Sequence, residues 1–295
     1  MTTTRGTSEA GRAGPDTEYA PWDGLLAPEW VPAVIDTETA HPSRIYDYLL
    51  GGKNNFAADR ELAGRLLLLR PELRAAARAN RAFLGRAVRF AVRSGIRQFL
   101  DIGTGIPIEG NTHEVARELA PECTVAYVDH DPMVLVHARA SAAARGPGRT
   151  SVLCGDLRDP RAILDDPEVR AAVDFARPVA LLLVSVLHFL ADADRPAEAV
   201  AALRDALAPG SLLVLSHGVY HPGQVDEVRR FAELYAASAA ETHIRRPAEV
   251  AAFFTGFDLV EPGLVQVSDW RPDAGTVPLP PHGGFLGGGG IRRAD

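Results

Sequence analysis

The sequence predicts a doubly wound α/β fold: seven strands, mostly parallel with an antiparallel edge hairpin, beside an N-terminal helical cap. Three observations predict it. Apolar runs ending in polar or acidic residues recur between Gln98 and Ser216, with stretches of helical period between them. One run, 179–186, is almost continuously apolar, as a central strand covered on both faces must be. Two later runs, 257–260 and 264–267, flank Glu261-Pro262-Gly263, which signals a hairpin.

The elements follow in order. Residues 1–30 are rich in Thr, Gly, Pro and charge and read as a flexible tail, with Trp22 and Trp30 as candidate docking points. Residues 31–95 read as the helical cap. Its first helix starts at His41-Pro42 or Ser43 and stops at Gly51-Gly52. Asn55 is the expected N-cap of a helix over 56–69. Pro71 opens another that runs to Ser94-Gly95. Gly51-Gly52-Lys53 lacks the earlier glycine and the following Ser or Thr of a phosphate-binding loop, so that reading is rejected. Residues 96–270 alternate: strands at 98–102, 124–128, 150–154, 179–186 and 211–216, helices at 112–118, 132–144, 196–207, 225–240 and 247–254, then the hairpin. Residues 271–295 read as a Pro- and Gly-rich tail whose Gly287 to Gly290 carry too little side chain to pack.

Composition narrows the function classes. The chain has 295 residues, 46% hydrophobic and 23% charged, as ordinary globular proteins do. A net charge of −7 without a dense basic run argues against broad attraction to nucleic acid. Cys123 and Cys154 form no CxxC and read as small buried thiols. No stretch approaches membrane-spanning length, and the N-terminus has no apolar signal core, so a cytoplasmic location and no membrane partner are expected. His113, His217 and His221 are scattered, without metal-site spacing.

The chemistry gathers at the strand ends. Phe99-Leu-Asp101 runs into Gly103-Thr104-Gly105, the position at which a parallel sheet presents a cofactor. A dinucleotide asks for GxGxxG, but Ile108 holds the third glycine's place and Pro107 removes an amide donor. Asp129, ending the second strand, suits the ribose hydroxyls of either a dinucleotide or S-adenosylmethionine. Asp156 and the Leu157 backbone, after the third, suit an adenine amino edge. Acidic strand ends match a cationic sulfonium and ammonium better than a pyrophosphate.

The strand-end series Phe99 to Gly105, Val128-Asp-His130-Asp-Pro132, Gly155-Asp156-Leu157, Val186-Leu-His188-Phe189 and Leu207-Ala-Pro-Gly210 resembles the successive motifs of class I S-adenosylmethionine-dependent methyltransferases. With Ser43 to Phe56, Asn111 to Val115, Val260 to Gly263 and Trp270-Arg-Pro272, the chain resembles an actinobacterial S-adenosyl methyltransferase family once known only as a domain of unknown function. The resemblance covers roughly residues 30–272 and implies a Rossmann-like fold and S-adenosylmethionine as cofactor. It supplies no acceptor. One departure stands out: Arg177-Pro178 occupies the start of strand four, where the broad class commonly has an acid.

On this reading Gly103, Thr104 and Gly105 hold the methionine part. Asp101 orients its ammonium or stabilises the loop. Asp129, with His130 beside it, takes the ribose, and Asp156 and Leu157 the adenine. Ser185 lies near the sulfonium. His188 is the first candidate base, or else anchors a helix start. Tyr46, a second catalytic candidate, forms with Arg44 and Asp47 a prospective lid and substrate contact. Methyl transfer to a small-molecule acceptor is the expected function. A non-catalytic S-adenosylmethionine-binding or sensing protein is the alternative, and an oxidoreductase a distant third. Oligomeric state is not legible.

Overall fold

The computed structural model describes residues 35–142, 148–220, 222–281 and 284–294. The expected N-terminal tail with Trp22 and Trp30, the Gly146-Pro147 turn and His221 lie outside them.

The N-terminal block is three helices, α1 (Pro42–Leu50), α2 (Ala57–Leu69) and α3 (Leu73–Arg93). His41 caps α1 by accepting from the Ser43 amide, and Gly51 ends it in the left-handed conformation that favours glycine. Phe56, not Asn55, is the N-cap of α2; its amide donates to Asp59 at 2.7 Å, while the Asn55 side chain donates to Asp47. Asp59, one turn into α2, thus accepts from the amide of the N-cap itself, as the acid of a capping box does. Ile45 and Leu49 of α1 pack with Leu62 and Leu66 of α2. By contrast, α3 lies on the sheet: Phe83, Ala87, Val88 and Ala91 share a core with Phe99, Val125 and Leu182.

Then follow β1 (Gln98–Ile102), α4 (Thr112–Leu119), β2 (Thr124–Asp129), α5 (Pro132–Ala142), β3 (Thr150–Cys154), α6 (Pro160–Asp165), α7 (Pro167–Ala172), β4 (Ala180–Val184), α8 (Pro196–Ala206), β5 (Leu212–Gly218), α9 (Val225–Tyr235), α10 (Pro247–Ala252), β6 (Phe257–Leu259), β7 (Val265–Gln266) and β8 (Phe285–Arg292). Among the described residues no helix is long and apolar enough to cross a membrane. Helix α9 stops at Tyr235, short of the expected residue 240, where Ser238 instead bridges to Ala40 beside α1. Cys123 is buried as expected, but Cys154, at the outer strand's end, is exposed.

The sheet runs β3-β2-β1-β4-β5-β8-β6, with β7 also on β8. The first five strands are parallel; β8 is antiparallel to β5, β6 and β7. Strand β4 explains its own continuous apolarity. Leu181 and Leu183 face one core, Ala180 and Leu182 the other. Chain order reverses between β1 and β4, which opens a crevice at their carboxyl ends.

The C-terminus departs from expectation twice. Residues 257–267 are not a hairpin: β6 and β7 each pair with β8, so the sheet has eight strands. And the expected tail contains β8, inserted between β5 and β6, with Gly287 to Gly290 buried. Large side chains from elsewhere fill the space these glycines leave. A Cβ on Gly287 would meet Phe83 and Val267 at 2.9 Å, and one on Gly290 would meet Phe257 at 2.9 Å. The strand contributes backbone pairing on both sides, while its neighbours supply the apolar cover.

Candidate active site

The crevice holds a cavity of about 460 Å³. Its floor is the set of strand ends. After β1 the chain turns at Gly103 (φ 72°) and Gly105 (φ 66°). A Cβ on Gly103 would lie 2.4 Å from Val186 Cγ2, so only glycine fits between the loop and the end of β4. Asp129 holds this loop: its Oδ2 accepts from the Gly105 amide at 2.9 Å and its Oδ1 from the Asp131 amide at 3.0 Å. It is buried, and desolvation raises its pKa against those hydrogen bonds. Its unused lone pairs remain for a ligand, since a carboxylate accepts about four hydrogen bonds.

Asp101 has a different surrounding. Its Oδ2 accepts from the Thr112 hydroxyl at 2.6 Å, which fastens the start of α4, and burial pushes its pKa up to about 6. His130 lines the cavity with a mostly exposed ring. Leu157 is buried at the cavity wall. Asp156 also lines the cavity but takes both the backbone amide and the guanidinium of Arg158. Partial burial opposes its ionisation, yet the Arg158 hydrogen bonds outweigh this and its pKa falls. The turn-forming role is therefore present, and Arg158 competes for any adenine contact. Ser185 adopts φ 60°, rare for a residue with a side chain, and its amide donates to Ser216 O at 3.1 Å. Such local strain is held where a binding cleft needs a particular backbone direction.

The expected lid residues separate. Tyr46 lines the cavity, but its hydroxyl donates to Ala77 O and accepts from Asn80 Nδ2, both at 3.0 Å; burial raises its pKa. That phenol braces α1 on α3 and is a poor proton carrier. Arg44 and Asp47 do not line the cavity. Arg44 is neither a cleft cation nor a surface residue. It is buried, 3.3 Å from Asp59 and donating to Asp36 O and Thr39 O. Asp47 is not a solvated acid: it is buried and accepts from Asn54 N and Asn55 Nδ2, tying the turn after α1. The turn beyond Gly51 folds back over Asp47, while Asp59 of α2 and the carbonyls of Asp36 and Thr39 enclose Arg44.

His188 sits in the 3-10 turn Leu187–Phe189, buried, with the Gly218 amide 3.5 Å from Nδ1. Burial, then His217 and Arg245, hold its pKa well below the usual imidazole range. Behind it His217 is pushed down to about 4, chiefly by burial; its Nδ1 lies 2.6 Å from Gly218 O and its Nε2 3.2 Å from Arg245. Both rings are neutral at ordinary pH.

Two residues, Arg81 and Asn80, and one contact, that of Asp131 with Ser43, escaped the sequence reading. Arg81 of α3 reaches the cavity, donating through Nη2 to Ile108 O and Asn111 Oδ1, while its buried Nε has no partner among the described residues. Asn80 links Tyr46 to Ser216, whose hydroxyl donates to it at 2.6 Å. Asp131 caps α5 through the Met133 amide and accepts from the Ser43 hydroxyl at 2.9 Å, so α1 is joined to the end of β2. The Asp-x-Met spacing signals the cap; nothing local signals the partner 88 residues away.

The sequence model of a family described as S-adenosyl methyltransferase matches residues 28–293. This chain belongs to that family. Two solved structures agree in fold over nearly their whole length. A DUF574 family protein from Streptomyces avermitilis is 43% identical, with 87% of this chain and 99% of that one covered and a TM-score of 0.83. A candidate methyltransferase from Thermobifida fusca is 42% identical, with 88% and 97% covered and a TM-score of 0.82. A search of curated proteins finds no match. As a member of the S-adenosyl methyltransferase family the chain is a methyltransferase, with S-adenosylmethionine as its methyl donor. The donor set fits that molecule. The cavity offers buried acids for hydroxyl and ammonium groups, a glycine loop open to close approach, and on its wall the Arg81 guanidinium, suited to a carboxylate.

Proposed function

We propose that this methyltransferase modifies a small-molecule acceptor held between the strand ends and the helices above them. The observation that carries the reading is one cavity lined both by the glycine loop with Asp129 and by α1, α3 and α9. Its buried setting suits a molecule that is enclosed rather than a polymer lying across a surface.

The donor supplies an electrophilic methyl carbon. The acceptor's lone pair forms the new bond, the electron pair of the broken carbon–sulfur bond stays on sulfur, and any acceptor proton passes to water. Alignment and exclusion of water are then the main tasks of the protein. In this reading Gly103, Thr104 and Gly105 cradle the methionine part, and the Arg81 guanidinium meets its carboxylate. Asp101 faces the ammonium, Asp129 and His130 the ribose, and Leu157 and Asp156 the adenine; Ser185 lies near the sulfur. His188, with its depressed pKa, is a weak base, which favours a positioning role over proton abstraction.

Calorimetric titration with S-adenosylmethionine and with NAD tests the cofactor half; heat with NAD alone would sink it. Transfer of a labelled methyl group to a cell extract tests the acceptor half. Label is expected in the dialysable fraction, and label confined to macromolecules would refute a small-molecule acceptor.

A further inference from the structure

From the ends of β4 and β5 out to α9, the cavity has an aromatic wall. Phe231 and Tyr235 of α9 lie 5.5 Å apart between ring centroids. Tyr235 is 5.9 Å from Phe189, Phe189 is 4.4 Å from His188, and His188 is 5.9 Å from Phe285 of β8. All five rings line the same cavity. Leu49 of α1 and Leu73 and Ala76 of α3 line it too.

Apart from Arg81, assigned above to the donor's carboxylate, the arginines lining this cavity are already matched. Arg70 pairs with Glu72 and, at 2.7 Å, with Glu227. Arg158 pairs with Asp156. An anionic acceptor would therefore meet carboxylates without a free countercharge. Successive rings are inclined by 32°, 42°, 54° and 61°, so the chain of rings turns from face towards edge along its length. One polar group breaks the apolar surface. The Gly218 amide, 3.5 Å from Nδ1, favours the His188 tautomer with its proton on Nε2, the nitrogen left for a ligand.

We propose that the acceptor is a flat, uncharged aromatic molecule that stacks on the Phe231–Tyr235–Phe189–Phe285 wall and accepts a hydrogen bond from His188 Nε2. This rests on the methyltransferase reading and adds the acceptor's chemical class. Offset ring contacts of this kind add affinity beyond the area they bury.

The test uses the full chain and binding alone. S-adenosylhomocysteine is titrated first; failure to bind it would overturn the cofactor reading and the acceptor class with it. The saturated protein is then titrated with 2-naphthol, 2-naphthoate and spermidine. The naphthol is expected to bind at least tenfold tighter than either charged probe. Equal or tighter binding of naphthoate or spermidine, with S-adenosylhomocysteine bound normally, would overturn the acceptor class alone. Phe231→Ser on the half-buried face of α9 is expected to weaken naphthol at least tenfold with S-adenosylhomocysteine affinity unchanged. An unchanged naphthol affinity in a folded Phe231→Ser protein would equally refute the wall. The ranking of the three probes on the unaltered chain needs no variant to fold.

Discussion

The Gly105 amide donates to Asp129 Oδ2 at 2.9 Å, so the loop after β1 is held by the acid that ends β2. One carboxylate thereby shapes the glycine loop and faces the cavity. Asp129→Ala removes both functions. S-adenosylmethionine affinity is expected to fall more than tenfold, in line with about 1.5–3 kcal/mol for hydrogen bonds to a charged group. Calorimetry checks this, and unaltered affinity would remove Asp129 from the site.

Arg81 lines the cavity beside the same loop, and no carboxylate among the described residues pairs with it. Arg81→Met is expected to weaken S-adenosylmethionine at least tenfold and decarboxylated S-adenosylmethionine much less. A loop-bracing role alone would weaken both equally, so competition binding with the two donors separates the roles.

Asp101 links pH to stability. Its folded pKa, about 6, lies above its ordinary value of 3.8, because burial disfavours the charge. The folded chain keeps this proton where the unfolded chain has lost it. Its contribution is full below the unfolded pKa and is lost as pH rises through the folded one. Asp101→Asn is expected to remove that decline while retaining an acceptor for Thr112. Urea midpoints measured across this window for both proteins provide the check; parallel curves would contradict it.

The two glycines of the loop are expected to differ. Gly103→Ala places a Cβ 2.4 Å from Val186 Cγ2 in addition to a positive φ, whereas a Cβ on Gly105 meets nothing within 4 Å. Gly105→Ala should cost about 1–2 kcal/mol from its backbone conformation alone. Gly103→Ala should cost roughly 1–3 kcal/mol more, through overpacking. Chemical denaturation of both variants gives the comparison, and equal losses would mean that β4 yields freely.

Much of the parallel sheet was legible because local patterns generate it. Apolar runs, acids at their ends and cap residues such as His41 and Asn111 each act within a few positions. The glycine loop and Asp129 were legible for the same reason. Arg44 and Asp47 were misread because their partners, Asp59 and the Asn54-Asn55 turn, bury them only once α2 folds against α1. The motif of Gly287 to Gly290 was misread because glycine carries no apolar pattern of its own.

By itself the sequence determined the order of the five parallel strands, the glycine turn after the first of them, and the acids at the strand ends. These depend on periodicity, on glycine's access to positive φ and on charge placed at fixed offsets. Only the tertiary structure decided that β8 enters the sheet, that Arg81 reaches the loop, and that His188, Phe189, Phe231, Tyr235 and Phe285 share one wall. Each of these joins residues distant along the chain, and what selects them is shape and burial in the packed core rather than any local pattern.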